Sequence, residues 1–143
     1  KYIYLANRLK LEQVAHLDID AHISNVGDVS FWPCQEVSVQ TENFIEGITI
    51  YPSSNLFCWR DISYQVMFED GTVSEMVLGG QFSGTRHQAR KIVGFRMSAK
   101  SEQDFQLFYE GEFEDGSTQR VANNSWLQDS LKPLKRIRFD IQI

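Results

Sequence analysis

The stretch His16-Leu17-Asp18-Ile19-Asp20-Ala21-His22 sets two histidines and two aspartates at alternate positions, so that a strand here carries all four on one face. Imidazole and carboxylate are ligands for divalent cations, and two such groups at i and i+2 can share an ion. All four cannot, because at roughly 3.3 Å per residue the stretch extends about 20 Å. The same alternation of polar residues with Leu17, Ile19 and Ala21 is what a half-buried sheet strand shows on its water side. The expectation is therefore a solvated face and no metal, with His16, Asp18, Asp20 and His22 as the candidates from which a metal-binding pair would be drawn.

Other chemistry is sparse. Nucleophilic catalysis needs a base beside a serine or cysteine, and the chain has three histidines, His16, His22 and His87, with no triad motif around them. The two cysteines sit in Phe31-Trp32-Pro33-Cys34 and Phe57-Cys58-Trp59, aromatic settings that suit buried thiols as well as one disulfide. The acidic pairs Glu69-Asp70 and Glu114-Asp115 resemble paired catalytic carboxylates. Each is followed by glycine, and turn formation accounts for both. No catalytic residue and no cofactor is assigned.

Ligand binding has better material. Asn123, Asn124, Trp126 and Asp129 combine amide and carboxylate groups, which meet sugar hydroxyls, with an indole that meets the apolar face of a sugar ring. Arg86 and His87 are the matching polar pair earlier in the chain. The competing reading packs Trp126 into the core. Trp32 and Trp59 are expected in the core or against the cysteines beside them. Lys132, Lys135, Arg136 and Arg138 form a basic strip that reads as a solvated strand face.

These groups must be positioned by a repeated β framework. Tyr64, Phe68, Glu69, Asp70, Gly71 and Ile92 recur 45 residues later as Tyr109, Phe113, Glu114, Asp115, Gly116 and Ile137. The same offset backwards sets Ile62, Tyr64, Val66 and Phe68 over Leu17, Ile19, Ala21 and Ile23. With one residue of adjustment, Gly27, Val29, Ser30 and Ile48 fall under Gly71, Val73, Ser74 and Ile92. Three units result, at about 17–50, 62–97 and 107–143, in a single domain over 1–143. Ile62 to Phe68 alternates with the period of a strand, and Asp70-Gly71 and Asp115-Gly116 are hairpin signals. Gly79-Gly80 and Gly84 suit a bulge or corner, and Lys91 to Met97 and Lys135 to Ile143 are closing strands. Tyr51 to Asp61 and Ser98 to Asp104 are polar enough for surface connections, and residues 1–14 lie outside the units.

The run Gly79-Gly80-Gln81-Phe82-Ser83-Gly84-Thr85 followed by Arg90-Lys91-Ile92-Val93-Gly94-Phe95 resembles the threefold β-prism families. The Lys91 to Phe95 segment is similar to the Lys-Ile-Val-Gly-Phe stretch of jacalin-related lectins. The Asp-Gly turns and Gly-x-x-Ser-Gly-Thr run resemble clostridial hydrophobic W repeats. The resemblance implies an all-β, threefold pseudo-symmetric β-prism of three Greek-key-like repeats, with a β-trefoil as the alternative. For jacalin relatives it implies a monosaccharide site in the loops at a sheet apex. Two departures stand against carrying over the ligand. The glycine and closely following aspartate of the jacalin sugar loop have no equivalent after Gly94, and Thr72 and Ser117 replace the hydrophobic W tryptophan.

The totals fit this picture. A chain of 143 residues buries about two thirds of its unfolded surface in one core. A formal charge of −5 disfavours nucleic acid as a partner. No apolar run reaches membrane-spanning length, and the chain opens on Lys1 with no signal peptide, as an excised domain or processed protein would. Asn123-Asn124-Ser125 is also a glycosylation acceptor pattern. The expected function is that of a noncatalytic, lectin-like module binding a glycan or polysaccharide, at the cell surface or outside the cell within a larger protein. A structural or protein-interaction domain, with another protein or domain as partner, is the second expectation, and a metal-dependent enzyme the third. Gly71→Val is expected to lower the melting temperature, because valine resists the positive φ this turn demands. An unchanged melting temperature would count against the hairpin register on which the repeat rests.

Overall fold

The computed structural model describes residues 17–32, 36–52, 59–100 and 106–142. His16, Cys34, Cys58, the first fourteen residues and most of both connections lie outside them. The described chain is all-β. Its strands are β1 (Leu17–Ile23), β2 (Gly27–Ser30), β3 (Glu36–Ser38), β4 (Ile45–Pro52), β5 (Ile62–Phe68) and β6 (Val77–Leu78). They continue as β7 (Phe82–Gly84), β8 (Ile92–Ala99), β9 (Gln106–Phe113), β10 (Thr118–Ala122), β11 (Leu127–Gln128) and β12 (Leu134–Gln142). One 3-10 turn, Trp59–Asp61, leads into β5.

Alternation decides the long strands. Along β5 the side chains of Ile62, Tyr64, Val66 and Phe68 are buried and the residues between them are partly exposed. Leu107, Tyr109 and Phe113 in β9 follow the same rhythm. Turns then set the register. Gly71 and Gly116 adopt φ of 85° and 86°. In each, the preceding aspartate accepts from the backbone amide and the hydroxyl two residues ahead, Asp70 from Thr72 and Asp115 from Ser117. These bonds draw both carboxyls below their ordinary range, with Lys132 as the largest cause at Asp115. The acidic pairs are turn chemistry.

Three four-stranded antiparallel sheets form, in the orders β2-β1-β4-β7, β6-β5-β8-β11 and β10-β9-β12-β3. Three strands of each sheet come from one stretch of chain and the fourth from another. β7 crosses to the sheet of β1 and β4, β11 to that of β5 and β8, and β3 to that of β9 and β12. The exchange closes on itself, so no sheet is complete without its neighbour. Between the sheets lies one apolar core including Leu17, Ile19, Ile48, Val66, Phe95, Tyr109, Leu134 and Phe139.

Two buried tyrosines tie the crossings together. The Tyr64 hydroxyl, on β5, accepts from the Ile50 amide of β4 and donates to the Gln81 carbonyl just before β7. Tyr109, on β9, accepts from the Met97 amide of β8 and donates to the Ser125 carbonyl just before β11. Each hydroxyl thus joins one sheet's closing strand to the strand that crosses into it.

Several expectations need correction. The closing strand that starts at Ile92 runs on to Ala99, because Ile62 pairs with Ala99 and Ser63 with Ser98, and the polar connection therefore begins later. Tyr51 and Pro52 belong to β4 through pairing with Asp18 and Leu17. Trp32 is not in the core but 53% exposed. The basic strip is engaged rather than simply solvated. Lys135 donates to the Thr41 and Asn43 carbonyls, Lys132 pairs with Asp115 and Asp129, and Arg136 pairs with Glu36 and Glu110.

Burial pushes the Tyr64 phenol up to about 12 and raises that of Tyr109 as well. The folded chain then holds protons that the unfolded chain loses near pH 10. This contribution to stability is complete below about pH 10 and is lost as pH rises toward 12. Tyr64→Phe, which strands the Ile50 amide and Gln81 carbonyl, is expected to cost about 1–3 kcal/mol. Urea denaturation at neutral pH and near pH 11 checks both statements. The variant should be less stable at neutral pH and lose less on going alkaline.

Candidate functional site

The outer face of the β2-β1-β4-β7 sheet gathers most of the chemistry. Cross-strand pairing sets Ser30, Asp20, Thr49 and Phe82 in one row, and Asp28, His22, Gly47 and Gly84 in the next. Both glycines are required by close approach. A Cβ on Gly47 would fall 2.0 Å from the Phe82 ring, and one on Gly84 would fall 2.4 Å from the Glu46 carbonyl oxygen. Because they are glycines, β7 lies tightly on β4 and the Phe82 ring spreads across the sheet. Arg86 stacks on that ring at 3.7 Å and reaches across to Asp28 with both Nε and Nη2, at 3.3 and 3.4 Å.

His22 is the correction to the solvated-face expectation. It is 6% exposed, covered by groups from three other segments. Its Nδ1 is 2.7 Å from Asp28 Oδ1 and its Nε2 is 3.6 Å from Glu46 Oε1. The His87 ring meets it edge-on with centroids 5.4 Å apart. Bonds from His22 and then Arg86 hold the Asp28 carboxyl below its ordinary range. Asp20 accepts from the Ser30 hydroxyl at 2.7 Å. Burial, followed by the charge of Asp20, raises the Tyr51 phenol. Trp32 packs its edge on Tyr51 at 5.9 Å while remaining half exposed.

Two hollows open on this face and share His22. One, of about 130 Å³, is lined by Asp20, Asp28, Thr49, Tyr51, Phe82 and Arg86. The other, of about 490 Å³, lies beyond His22 between the Ser24–Gly27 turn, Phe44, Glu46 and His87. Among the described residues no three His, Cys, Asp or Glu side chains converge as a ready metal cage.

The sequence candidates therefore divide. Arg86 and His87 join Asp20 and His22, while Asp18 pairs with Tyr51 one row away. His16 lies outside the described residues. Asn123, Asn124, Trp126 and Asp129 sit around the entry to β11, on the β6-β5-β8-β11 sheet. There the Asn123 amide is occupied by backbone, accepting from the Ala99 N–H at 2.8 Å and donating to its carbonyl at 2.9 Å. Asn124 has φ of 72°, and its side-chain and backbone oxygens accept from Arg96. Trp126 is half-buried, and Asp129 is paired with Lys132.

Sequence reasoning missed Glu46, Asp28, Tyr51, Phe82 and Trp32 as parts of one face. The available signal was Gly47 and Gly84 on strands that must touch. No protein-family profile, curated protein or solved structure matches this chain. Asn123→Ala removes both bonds to Ala99 and is expected to lower stability by about 1–3 kcal/mol, measured by urea denaturation. Unchanged stability would return Asn123 to the pool of free ligand-binding groups.

Proposed function

We propose that this chain is a noncatalytic carbohydrate-binding module, its three sheets forming the sides of a pseudo-threefold β-prism and its glycan lying on the outer face of the β2-β1-β4-β7 sheet. The observation that carries the reading is the half-exposed Trp32 ring on Tyr51, beside the hollow lined by Asp20, Asp28 and Arg86. An indole supplies a face for the C–H side of a sugar, and fixed carboxylates and a guanidinium supply acceptors and donors for its hydroxyls. The cyclic strand exchange supports the prism, since it keeps three sheets separate instead of merging them into the barrel of a β-trefoil. Arg86 and His87, named from sequence as ligand groups, belong to this face. Of the sequence candidates Asn123, Asn124, Trp126 and Asp129, the half-buried Trp126 and the exposed Asn124 remain a second candidate patch, since the Asn123 amide is committed to Ala99 and Asp129 to Lys132. We place the module on a surface or secreted protein, where glycans are met.

A protein-contact role is favoured by a different feature. Val73, Met76 and Leu78 are 44%, 43% and 42% exposed along the β6 edge of its sheet. Apolar groups at a sheet edge are a common docking surface.

A glycan array identifies the ligand, and Trp32→Ala tests the face. Loss of the ring is expected to weaken binding roughly tenfold, by about 1–1.5 kcal/mol, and to leave the melting temperature almost unchanged because the ring is half in water. An array without a hit, together with a stable protein partner abolished by Leu78→Asp, would replace this reading with the second.

A further inference from the structure

We infer that the glycan is an extended chain whose units fill both hollows of the β2-β1-β4-β7 face, the larger hollow being a second sugar subsite built on Glu46. The inference rests on the carbohydrate reading above and adds the length and course of the ligand. Both hollows have His22 in their walls. The smaller reaches from it past Asp20 and Thr49 to Tyr51, and the larger past Glu46 to the Ser24–Gly27 turn, so the two follow one another along β1 and β4. At roughly 3.3 Å per residue the stretch from Tyr51 to Glu46 covers about 15 Å, more than a single pyranose ring spans. The larger hollow, about 490 Å³ against about 130 Å³, holds most of the room.

The lining offers the two kinds of surface that a sugar meets. Glu46 is the extra residue of a β-bulge, since His22 pairs with Gly47 and Ile23 with Ile45. The other two sheets carry the same bulge, with Val93 and Lys135 as the extra residues. Val93 is wholly buried and Lys135 ties down the Thr41 and Asn43 carbonyls, so both serve the body. Glu46 instead borders the hollow, and bulges that re-aim a side chain are frequent beside functional sites. Its carboxylate is paired with His22 Nε2 at 3.6 Å, and the two oxygens, with two lone pairs each, keep acceptor capacity for sugar hydroxyls. Phe44 and the 60% exposed Val26 give an apolar wall for C–H groups. Asn25, His87 and Ala89 on the same wall hold φ of 63°, 60° and 52°, and strained backbone of this kind gathers at ligand sites. At the His22 row the 43% exposed Arg86 side chain crosses to Asp28, so a chain passing between the hollows runs over a guanidinium with N–H donors to spare.

The test is titration calorimetry of the full chain with glucan, mannan, galactan and chitin oligosaccharides graded in length from the monosaccharide to the hexasaccharide. Affinity is expected to rise roughly tenfold or more once the chain outgrows the Trp32 end of the face. Amide resonances of Ser24 to Gly27 should shift with long chains and stay in place with the shortest that bind. Val26→Ser removes apolar wall at an exposed position, and Glu46→Gln exchanges a carboxylate oxygen for an amide donor at nearly the same shape. Each is expected to return long chains to the affinity of short ones and to leave short-chain binding alone, Val26→Ser at an unchanged melting temperature. Trp32→Ala, by contrast, should weaken chains of every length. Equal affinity at all lengths, with Trp32 still required, would overturn the extended course and leave the carbohydrate reading standing. A gain with length that both variants retain would place the added units elsewhere and overturn it as well. No binding of any saccharide at millimolar concentration would overturn both.

Discussion

The Tyr64 and Tyr109 hydroxyls are the joints on which the three-sheet body depends. Each stands on the second strand of its own sheet and bonds two backbone groups of the preceding sheet. Buried backbone groups at a strand crossing have no ladder partner, and leaving them unpaired is expensive. One phenol satisfies an amide and a carbonyl together. At the corresponding position of the first strand stands Ile19, which has no hydroxyl. The third crossing is secured differently. Val39 donates to the Lys135 carbonyl, and the Lys135 ammonium holds the Thr41 and Asn43 carbonyls after β3.

The same exchange of strands assembles the candidate face. β7 belongs in sequence with β5, β6 and β8, yet it hydrogen-bonds to β4. The two glycines that permit this contact bring Arg86 onto Asp28, 58 residues away in the chain, and His87 onto the still more distant His22. The face proposed for sugar has its aromatic end at Trp32 and Tyr51.

Sequence periodicity carried the long strands well, because a period of two survives wherever one face meets the core. Leu17 to Ile23, Ile62 to Phe68 and Leu107 to Phe113 are the clear cases. The Asp-Gly turns were legible for the same local reason. The crossing strands were not. β3, β7 and β11 are two or three residues long, too short to show any period, and their partners are chosen by tertiary contact. His22 looked like an outward polar residue because alternation cannot report that Glu46, His87 and Asp28 close over it. Trp32 looked like core because indole is mostly apolar, whereas here its ring packs edge-on against Tyr51 and stays half exposed. Asn123 has the composition of a sugar ligand, but its amide is spent on the Ala99 backbone.

If the crossings join body and face, the two open as one cooperative unit. Native-state amide hydrogen exchange at Ile50, Gly80 and Thr85 tests it most directly. Ile50 donates to Tyr64, Gly80 to the Ile50 carbonyl, and Thr85 to the Glu46 carbonyl. All three are expected to exchange only through global unfolding, with the same opening free energy as the core of β5. Exchange at Gly80 and Thr85 through a separate, low-energy opening, with Ile50 and β5 still protected, would contradict it.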